Sequence, residues 1–403
     1  LSQAIKLKFK IQEVFIMNVV QIYSLMNTVT SEVLGTENVV NEDLSNIVDV
    51  GVKIFDANAV DNYVRSLVNH IGKVVFVNRP YSGIAPSVLM DGWEYGSVLE
   101  KVSISKLPEA TENESWELTD GSSYDPNIFY KPQVEAKFFN KRVTFEVPVS
   151  ITERQVKESF SNAEQLNGFI SMIYTAVDKS MTIKIDSLVM RTIASMIGDT
   201  LHADYPEASY TDSSGVKAVN LLKLYNDKFG TTITADQAIT NPEFIRFASY
   251  MMGLYTKRLA GISTLYNIGG TDKFTSGDRL HTVLLAEFAA AAGVYLYDGN
   301  GQFKDDNIKL PSAEVVPYWQ GSGKSFAFAD TSKIDITTGS GNTVSATGIL
   351  GVMFDRDALG VSNLDRRVTT NYNPKGEFYN NWYKFDAGYF NDTNENFVVF
   401  FVA

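Results

Sequence analysis

Hydrophobic positions follow the period of a helix along one very long stretch of the chain. Between Leu166 and Ile197 the apolar residues recur every three or four positions, and Gly198 is the first break in the pattern. Ser161 and Glu164, ahead of this stretch, have the spacing of a capping box, which marks a helix start. The pattern therefore predicts one helix of roughly 50–60 Å. A helix several times longer than average is expected to lie along an extended body.

Alternation of apolar and polar residues predicts a pair of long strands ahead of this helix, at 95–104 and 134–149. The connection between them has its own strand signals at both ends and no Lys or Arg from 107 to 126. A connection of this kind favours a protruding β-hairpin over an idle linker. Its tip is acidic, with these residues: Glu109, Glu112, Glu114, Glu117, Asp120 and Asp125.

The rest of the chain has a mixed pattern of helices and short strands. Helices are predicted at 60–71, 216–229, 242–260 and 278–292, and strands at 294–297, 315–319, 325–329, 349–354 and 397–402. Asn241 followed by Pro242 is a typical helix start. The last strand is apolar at every position from Phe397 to Val402, so it is expected to be buried on both faces.

Charge and composition narrow the function classes. The chain has 47 acidic and 35 basic residues, a formal net charge of −12 and no cysteine. An acidic chain without clustered Lys and Arg argues against tight binding of nucleic acid or of an anionic membrane. The absence of cysteine excludes disulfides, thiolate nucleophiles and zinc–thiolate sites. No apolar run is long enough to predict a transmembrane helix.

Each segment that resembles a catalytic or ligand-binding motif lacks a residue or a partner that the motif requires. The segment 321–325 resembles a phosphate-binding loop, but Tyr318 stands where that motif needs a glycine. Asp355 and Asp357 are interpreted as a solvated turn, because no base or nucleophile accompanies them. The histidines lack the spacing of metal ligands. They are His70, His202 and His281. We therefore predict no catalytic residue, no cofactor site and no metal site.

The order of the predicted elements resembles the Hong Kong 97-like fold of tailed-phage major capsid proteins. The resemblance is strongest to the major head proteins of small, short-tailed, phi29-like phages, and it covers most of residues 45 to 403. Its segments are VGV at 50–52, SLVNHIGKVV at 66–75, NGFISMIY at 167–174, NPKG at 373–376, NWY at 381–383 and NFVVFF at 396–401. The first 40 or so residues are not covered.

This resemblance implies an α+β fold with named parts. They are an N-terminal arm with a first helix at 1–72, an extended β-hairpin (the E-loop) at 73–150, a P-domain with the long spine helix at 151–215, an α/β A-domain at 216–370 and a return to the P-domain at 371–403. Some relatives carry an immunoglobulin-like domain after the last strand. None is recognised here, so the chain is expected to end at that strand.

The resemblance implies a structural function. Copies of the chain would form pentamers and hexamers of an icosahedral shell that encloses double-stranded DNA without tight or specific binding. Scaffolding and portal proteins are the other partners it implies, with assembly in the bacterial cytoplasm and a final location in the virion capsid. The acidic tip is a candidate contact with a basic patch on a neighbouring subunit. Two alternatives stay open: an encapsulin-like nanocompartment shell and, more distantly, an acidic cytoplasmic enzyme without a recognisable motif.

Overall fold

A computed structural model describes most of the chain. The described residues are 19–35, 46–56, 62, 63, 66, 85–90, 99–108, 110, 112, 119–123, 125, 127–152, 154, 155, 158, 163–295, 313–320 and 325–403. The chain divides into two compact units, and each is described by itself. The first consists of Leu1–Ser82, Val143–Ile185 and Leu364–Ala387, and the second of Gly83–Arg142, Asp186–Asn363 and Gly388–Ala403.

Helices and strands are mixed along the chain, as the sequence predicts. The helices are α1 (Val19–Leu34), α2 (Ile47–Asp56), α3 (Ala163–Asp204), α4 (Leu221–Phe229), α5 (Ala235–Ala238), α6 (Pro242–Leu259), α7 (Ala286–Tyr295) and α8 (Phe328–Thr331). The strands are β1 (Leu89–Met90), β2 (Leu99–Lys106), β3 (Gln133–Phe139), β4 (Arg142–Thr152), β5 (Ala218–Asn220), β6 (Leu280–Leu285), β7 (Ala313–Val316), β8 (Ile334–Thr337), β9 (Thr343–Ala346), β10 (Ile349–Asp355), β11 (Leu359–Asn373), β12 (Phe378–Asn391) and β13 (Phe397–Phe401).

The long helix is confirmed, but its predicted end is wrong. Helix α3 has 42 residues and continues through Gly198 to Asp204. A side chain at Gly198 would meet the Thr338 methyl group at 2.7 Å, so the glycine allows a close approach of the β8–β9 turn instead of ending the helix. The helix ends where the Asp204 carboxylate accepts hydrogen bonds from the amides of Lys217 and Ala218 at 2.8 and 2.9 Å. The predicted capping residue Ser161 lies outside the described residues.

A five-stranded sheet forms the core of the second unit, in the order β5-β13-β10-β6-β7. Strand β13 is parallel to β5 and antiparallel to β10, and all of its residues are buried. The predicted final strand, buried on both faces, is therefore confirmed. Val398 and Phe400 of β13 belong to one buried cluster with Phe244 and Met252 of α6, so this helix covers one face of the sheet.

Two predicted helices begin as strands instead. Residues 216–229 contain β5 before α4, and 278–292 contain β6 before α7. Strand β6 is buried at nearly every position, and a strand buried on both faces has no alternation to separate it from a helix. The helix predicted at 242–260 is confirmed as α6, with the Asn241 side chain accepting from the amides of Glu243 and Phe244 at its start.

The short predicted strands had mixed outcomes. Strand β10 confirms the prediction at 349–354, and β7 confirms the one at 315–319 with a shift toward the N-terminus. Residues 294 and 295 end helix α7, and Phe328 begins helix α8, so the strands predicted there are wrong. Of the helix predicted at 60–71, only Asn62, Tyr63 and Ser66 are among the described residues, and they are helical.

The first unit contains parts of three neighbouring strands in the order β11-β12-β4. The alternation predicted for β4 is confirmed, because Val147 and Ile151 are buried and the rings of Phe145 and Phe385 lie 5.1 Å apart on the same face. However, the predicted single strand at 134–149 is two strands, β3 and β4. The break at Asn140 and Lys141 separates β3, which pairs with β2, from β4, which lies beside β12.

Candidate functional site: an exposed hairpin and its anchor

Strands β2 and β3 form an antiparallel hairpin whose apolar face is exposed and whose charged face is turned inward. Val102 lies opposite Ala136 and Ile104 lies opposite Val134, and this apolar face is exposed to solvent. The opposite face of the hairpin, which carries Lys101, points toward the rest of the second unit. A strand pair on a protein surface ordinarily has the reverse arrangement, with apolar residues inward. The exposed large hydrophobic residues of the hairpin are Val102, Ile104, Leu107, Ile128, Phe129, Tyr130, Val134 and Phe138.

A cluster of ion pairs holds the inward face of this hairpin. The Lys101 ammonium lies 2.6 Å from an Asp392 carboxylate oxygen and 3.3 Å from Glu395. Lys137 lies 3.2 Å from the other Asp392 oxygen, and Lys273 lies 3.0 Å from Glu395. These side chains are largely buried, so the pairs are screened less than ordinary surface pairs. We call Lys101, Lys137, Lys273, Asp392 and Glu395 the root cluster.

Two further hydrogen bonds fix the hairpin outside the root cluster. The Asn394 side-chain amide donates to Glu135 at 3.0 Å, and the Leu107 amide donates to Asp272 at 3.1 Å. Burial by itself raises the pKa of Asp392. The hydrogen bond and charge of Lys101, the Asn394 amide and the charge of Lys137 outweigh that effect, so the pKa lies below its ordinary value.

The root cluster makes stability depend on pH in one direction. Because the pKa of Asp392 is lowered in the folded state, its stabilising contribution is complete above the ordinary Asp pKa of about 3.9. We expect the free energy of unfolding to fall as the pH drops below about 4, and Asp392→Asn to flatten this dependence. Urea unfolding of the unassembled subunit between about pH 3 and 6 measures both variants. An equally steep dependence in Asp392→Asn would contradict the assignment.

The predicted acidic tip is only partly described. Glu112, Asp120 and Asp125 are exposed, and Glu109, Glu114 and Glu117 lie outside the described residues. The Asp125 carboxylate accepts a hydrogen bond from the Asn127 amide at 2.9 Å. Glu112 and Asp120 have no ion-pair partner within the part of the chain that the structure describes.

A cavity of about 430 Å³ opens in the second unit, between the β3–β4 turn, helix α3, the β8–β9 turn and the end of β12. Lys141 and Arg191 are exposed side chains of its lining, and Asp199 is a buried one. One oxygen of the Asp199 carboxylate and the Asn391 side-chain oxygen have no hydrogen-bond partner. Sequence reasoning missed this cavity, because its residues come from four separate segments without a shared motif.

The motifs considered in the sequence have ordinary structural explanations. Asp355 is not solvated as predicted, since it is buried and accepts hydrogen bonds from Arg279 at 3.2 Å and from the Asp357 amide at 3.0 Å. His281 is partly buried on β6, and burial lowers its pKa. His202 lies near the end of α3. Segment 321–324 and His70 lie outside the described residues.

Neither a metal cluster nor a membrane helix is found among the described residues. They contain no group of three or more His, Cys, Asp or Glu placed to hold a metal ion. None of the described helices is both long and apolar enough to cross a membrane. The most distinctive feature of these residues is instead the β2–β3 hairpin, which the root cluster anchors and whose apolar face is exposed to solvent. Exposed apolar surface of this kind is typical of an interaction site, so the fold favours a structural interaction protein.

Comparison with known proteins identifies the family. Residues 26–401 match the family described as Phi29-like phage major capsid protein, and the chain belongs to this family. It is therefore a structural subunit that self-assembles into a phage capsid shell, and it is not an enzyme. This finding confirms the predicted resemblance and decides against the two alternatives. No curated protein matches the chain in sequence.

Solved structures with a similar arrangement are also phage capsids. The capsid of Staphylococcus phage Andhra has 9% sequence identity and a TM-score of 0.48, and the match covers 81% of this chain and 87% of that one. The capsid of Cyanophage P-SCSP1u has 12% identity and a TM-score of 0.43, and the match covers 81% and 92%. The family assignment rests on the sequence match over residues 26–401.

Proposed function

We propose that this chain forms an icosahedral shell of pentamers and hexamers around double-stranded DNA, in which the outward face of each hairpin lies against a neighbouring copy. The proposed division follows the Hong Kong 97-like pattern. It places an arm at 1–72, an E-loop at 73–150, a P-domain at 151–215, an A-domain at 216–370 and a return to the P-domain at 371–403. The capsid family, together with the exposed hairpin in the second of these ranges, supports the assignment.

The inverted hairpin is the observation that carries this proposal. Val102, Ile104 and Val134 form a continuous apolar stripe on the exposed face, and Phe138 extends it. Covering one such side chain contributes about 1.5–3 kcal/mol as an upper estimate. Several of them together can offset a large part of the cost of association. Repetition of one contact around a closed shell then makes the particle stable, although each contact is modest.

Charge supports the proposed contents and location of the shell. A net charge of −12 disfavours strong phosphate contacts, so DNA is enclosed without tight or specific binding. Weak contact suits a container that has to be filled and later emptied. The proposed partners beyond further copies of the chain are scaffolding and portal proteins. Assembly in the bacterial cytoplasm and a final place in the virion capsid complete the proposal.

Removing the apolar stripe tests the proposal. We expect the triple variant Val102→Thr, Ile104→Thr and Val134→Thr to remain as folded subunits, because threonine preserves strand propensity while making the face polar. Electron microscopy and sedimentation measure shell formation, and thermal melting checks the fold.

A matched control changes exposed valines elsewhere, with Val216→Thr and Val315→Thr, and it is expected to assemble like the unmodified chain. Shells of normal yield from the stripe variant would refute the role of the hairpin. Failure of the unmodified chain to form any closed particle, both alone and together with its scaffolding protein, would refute the proposed shell.

A further inference from the structure

We propose that the inward face of strands β11 and β12 binds a row of ordered water molecules through Thr370, Tyr379, Asn381 and Tyr383. All four residues lie in the first unit. The inference concerns the folded subunit and does not depend on the proposed shell. It also gives a role to Asn381 and Tyr383, which belong to the NWY segment of the family resemblance.

The four side chains share one face of the two strands. Strand β12 is buried at positions 379, 381, 383 and 385 and partly exposed between them, so these odd-numbered residues point inward. The rings of Tyr372 and Tyr379 lie 4.8 Å apart across the turn that joins the strands, so Tyr372 of β11 is on the inward face as well. Two positions farther from the turn, Thr370 is therefore on this face beside Asn381.

Five polar atoms on this face have no hydrogen-bond partner in the described part of the chain. They are the hydroxyl groups of Thr370, Tyr379 and Tyr383, and the nitrogen and oxygen of the Asn381 side-chain amide. Tyr379, Asn381 and Tyr383 are 0% exposed, so bulk solvent does not reach them. Burial also raises the pKa of Tyr383, so its hydroxyl group stays protonated and is able to donate.

Buried polar groups in the second unit show the usual alternative, which is a partner within the protein. The Trp319 indole donates to the Ile349 carbonyl at 2.8 Å, and the Tyr255 hydroxyl donates to the Val216 carbonyl at 3.3 Å. Among the described residues, 13 buried side-chain nitrogen and oxygen atoms lack a partner, and five of them lie on the inward face of β11 and β12. This concentration points to one shared site.

The energetic cost of leaving these atoms unpaired is too large for the fold to carry. Every buried donor or acceptor without a partner adds a desolvation penalty, and five such penalties approach the whole stability of a typical domain. An apolar residue at position 381 would avoid the penalty, and asparagine is disfavoured inside strands. The face therefore needs hydrogen-bonding partners that come from outside the chain.

Water fits both the chemistry and the spacing of this face. Each hydroxyl group donates and accepts, and the Asn381 amide offers two donors and an acceptor oxygen. A metal cation would be opposed by the Asn381 N–H groups, and none of the four side chains carries a charge. Neighbouring strands lie about 4.8 Å apart, and alternate residues of one strand lie about 6.6 Å apart. A bridging water spans about 5.6 Å with two hydrogen bonds, so it reaches between adjacent members of the row.

Removal of single hydroxyl groups tests the inference, because the sign of the effect depends on whether the group is paired. Urea unfolding of the unassembled full-length chain gives the midpoint for each variant. We expect Tyr383→Phe and Tyr379→Phe each to lower this midpoint by about 0.2–0.5 M, since each loses a hydrogen bond to water. An unpaired hydroxyl group would give a higher midpoint instead. Asn381→Leu should lower it further, because it removes donors and an acceptor together. Tyr130→Phe is the matched control, since Tyr130 is 82% exposed, and it should leave the midpoint unchanged.

A second measurement locates the water directly. A high-resolution crystallographic or electron-microscopy map should contain separate peaks within about 3.2 Å of the polar atoms of Tyr379, Asn381 and Tyr383. The inference is overturned if both phenylalanine variants keep or raise the midpoint, or if such a map has no peaks there. Exchange of Na⁺ for K⁺ at constant ionic strength should not move the midpoint. A shift that disappears in Asn381→Leu would assign the site to a cation and overturn the inference as well.

Discussion

Replacing Phe400 with alanine is expected to lower the free energy of unfolding by about 3–5 kcal/mol. Phe400 is fully buried in β13, with Gly351 of β10 on one side and Val219 of β5 on the other. Its ring meets that of Tyr255 edge-on at a centroid distance of 5.2 Å. Alanine would leave a cavity between the sheet and helix α6, in a region where neither backbone can move to fill it. Urea unfolding measures the loss.

A control separates this effect from the removal of any aromatic ring. Phe326 is 75% exposed, so Phe326→Ala should change the free energy of unfolding by less than about 0.5 kcal/mol. Losses of equal size in the two variants would contradict the central place of β13 in the fold.

Gly348→Ala should destabilise the second unit by about 3–5 kcal/mol, through two separate costs. Gly348 has a φ of +81°, which an alanine adopts only with strain. A methyl group there would also lie 2.0 Å from the backbone oxygen of Val402. This oxygen belongs to the chain just after β13, and the Val402 amide donates to the Gly348 carbonyl at 2.9 Å, so the backbone has little freedom to retreat.

Gly341 provides the comparison for this variant. Its φ is +90°, but a methyl group there would meet no atom within 4 Å. Gly341→Ala therefore carries only the cost of the left-handed backbone, about 1–2 kcal/mol. The difference between the two thermal or chemical unfolding curves isolates the contact with Val402. A larger loss at Gly341 than at Gly348 would exclude this explanation.

The elements whose apolar residues follow one regular spacing could be predicted from the sequence. Helix α3, helix α6 and strand β13 each have a pattern that is long or uniform enough to exclude other elements. Strands β5 and β6 were missed, because short apolar segments buried on both faces have no alternation. The end of α3 was misplaced for a different reason, since a glycine is a helix end or a close contact depending on what packs against it.

The hairpin could also be predicted, but the exposure of its apolar face could not. Alternation in β2 and β3 reveals two different faces, and only the position of the protein body decides which one meets solvent. The root cluster depends on contacts across almost the whole chain, since Lys101 and Glu395 are 294 positions apart. The cavity also depends on contacts between distant parts of the chain, because only the completed fold brings Lys141, Asp199 and Asn391 together.

Strand β13 is synthesised after the strands on either side of it in the sheet, and this order affects how the second unit folds. During translation β5, β6 and β10 leave the ribosome before β13, so the gap between β5 and β10 stays empty until residues 397–401 emerge. Asp392 and Glu395 emerge just ahead of them, and until then Lys101 and Lys137 lack these carboxylate partners. The five-stranded sheet of the second unit can therefore close only after residues 397–401 have been made, so the folding of this unit has to wait for one of the last segments to be synthesised.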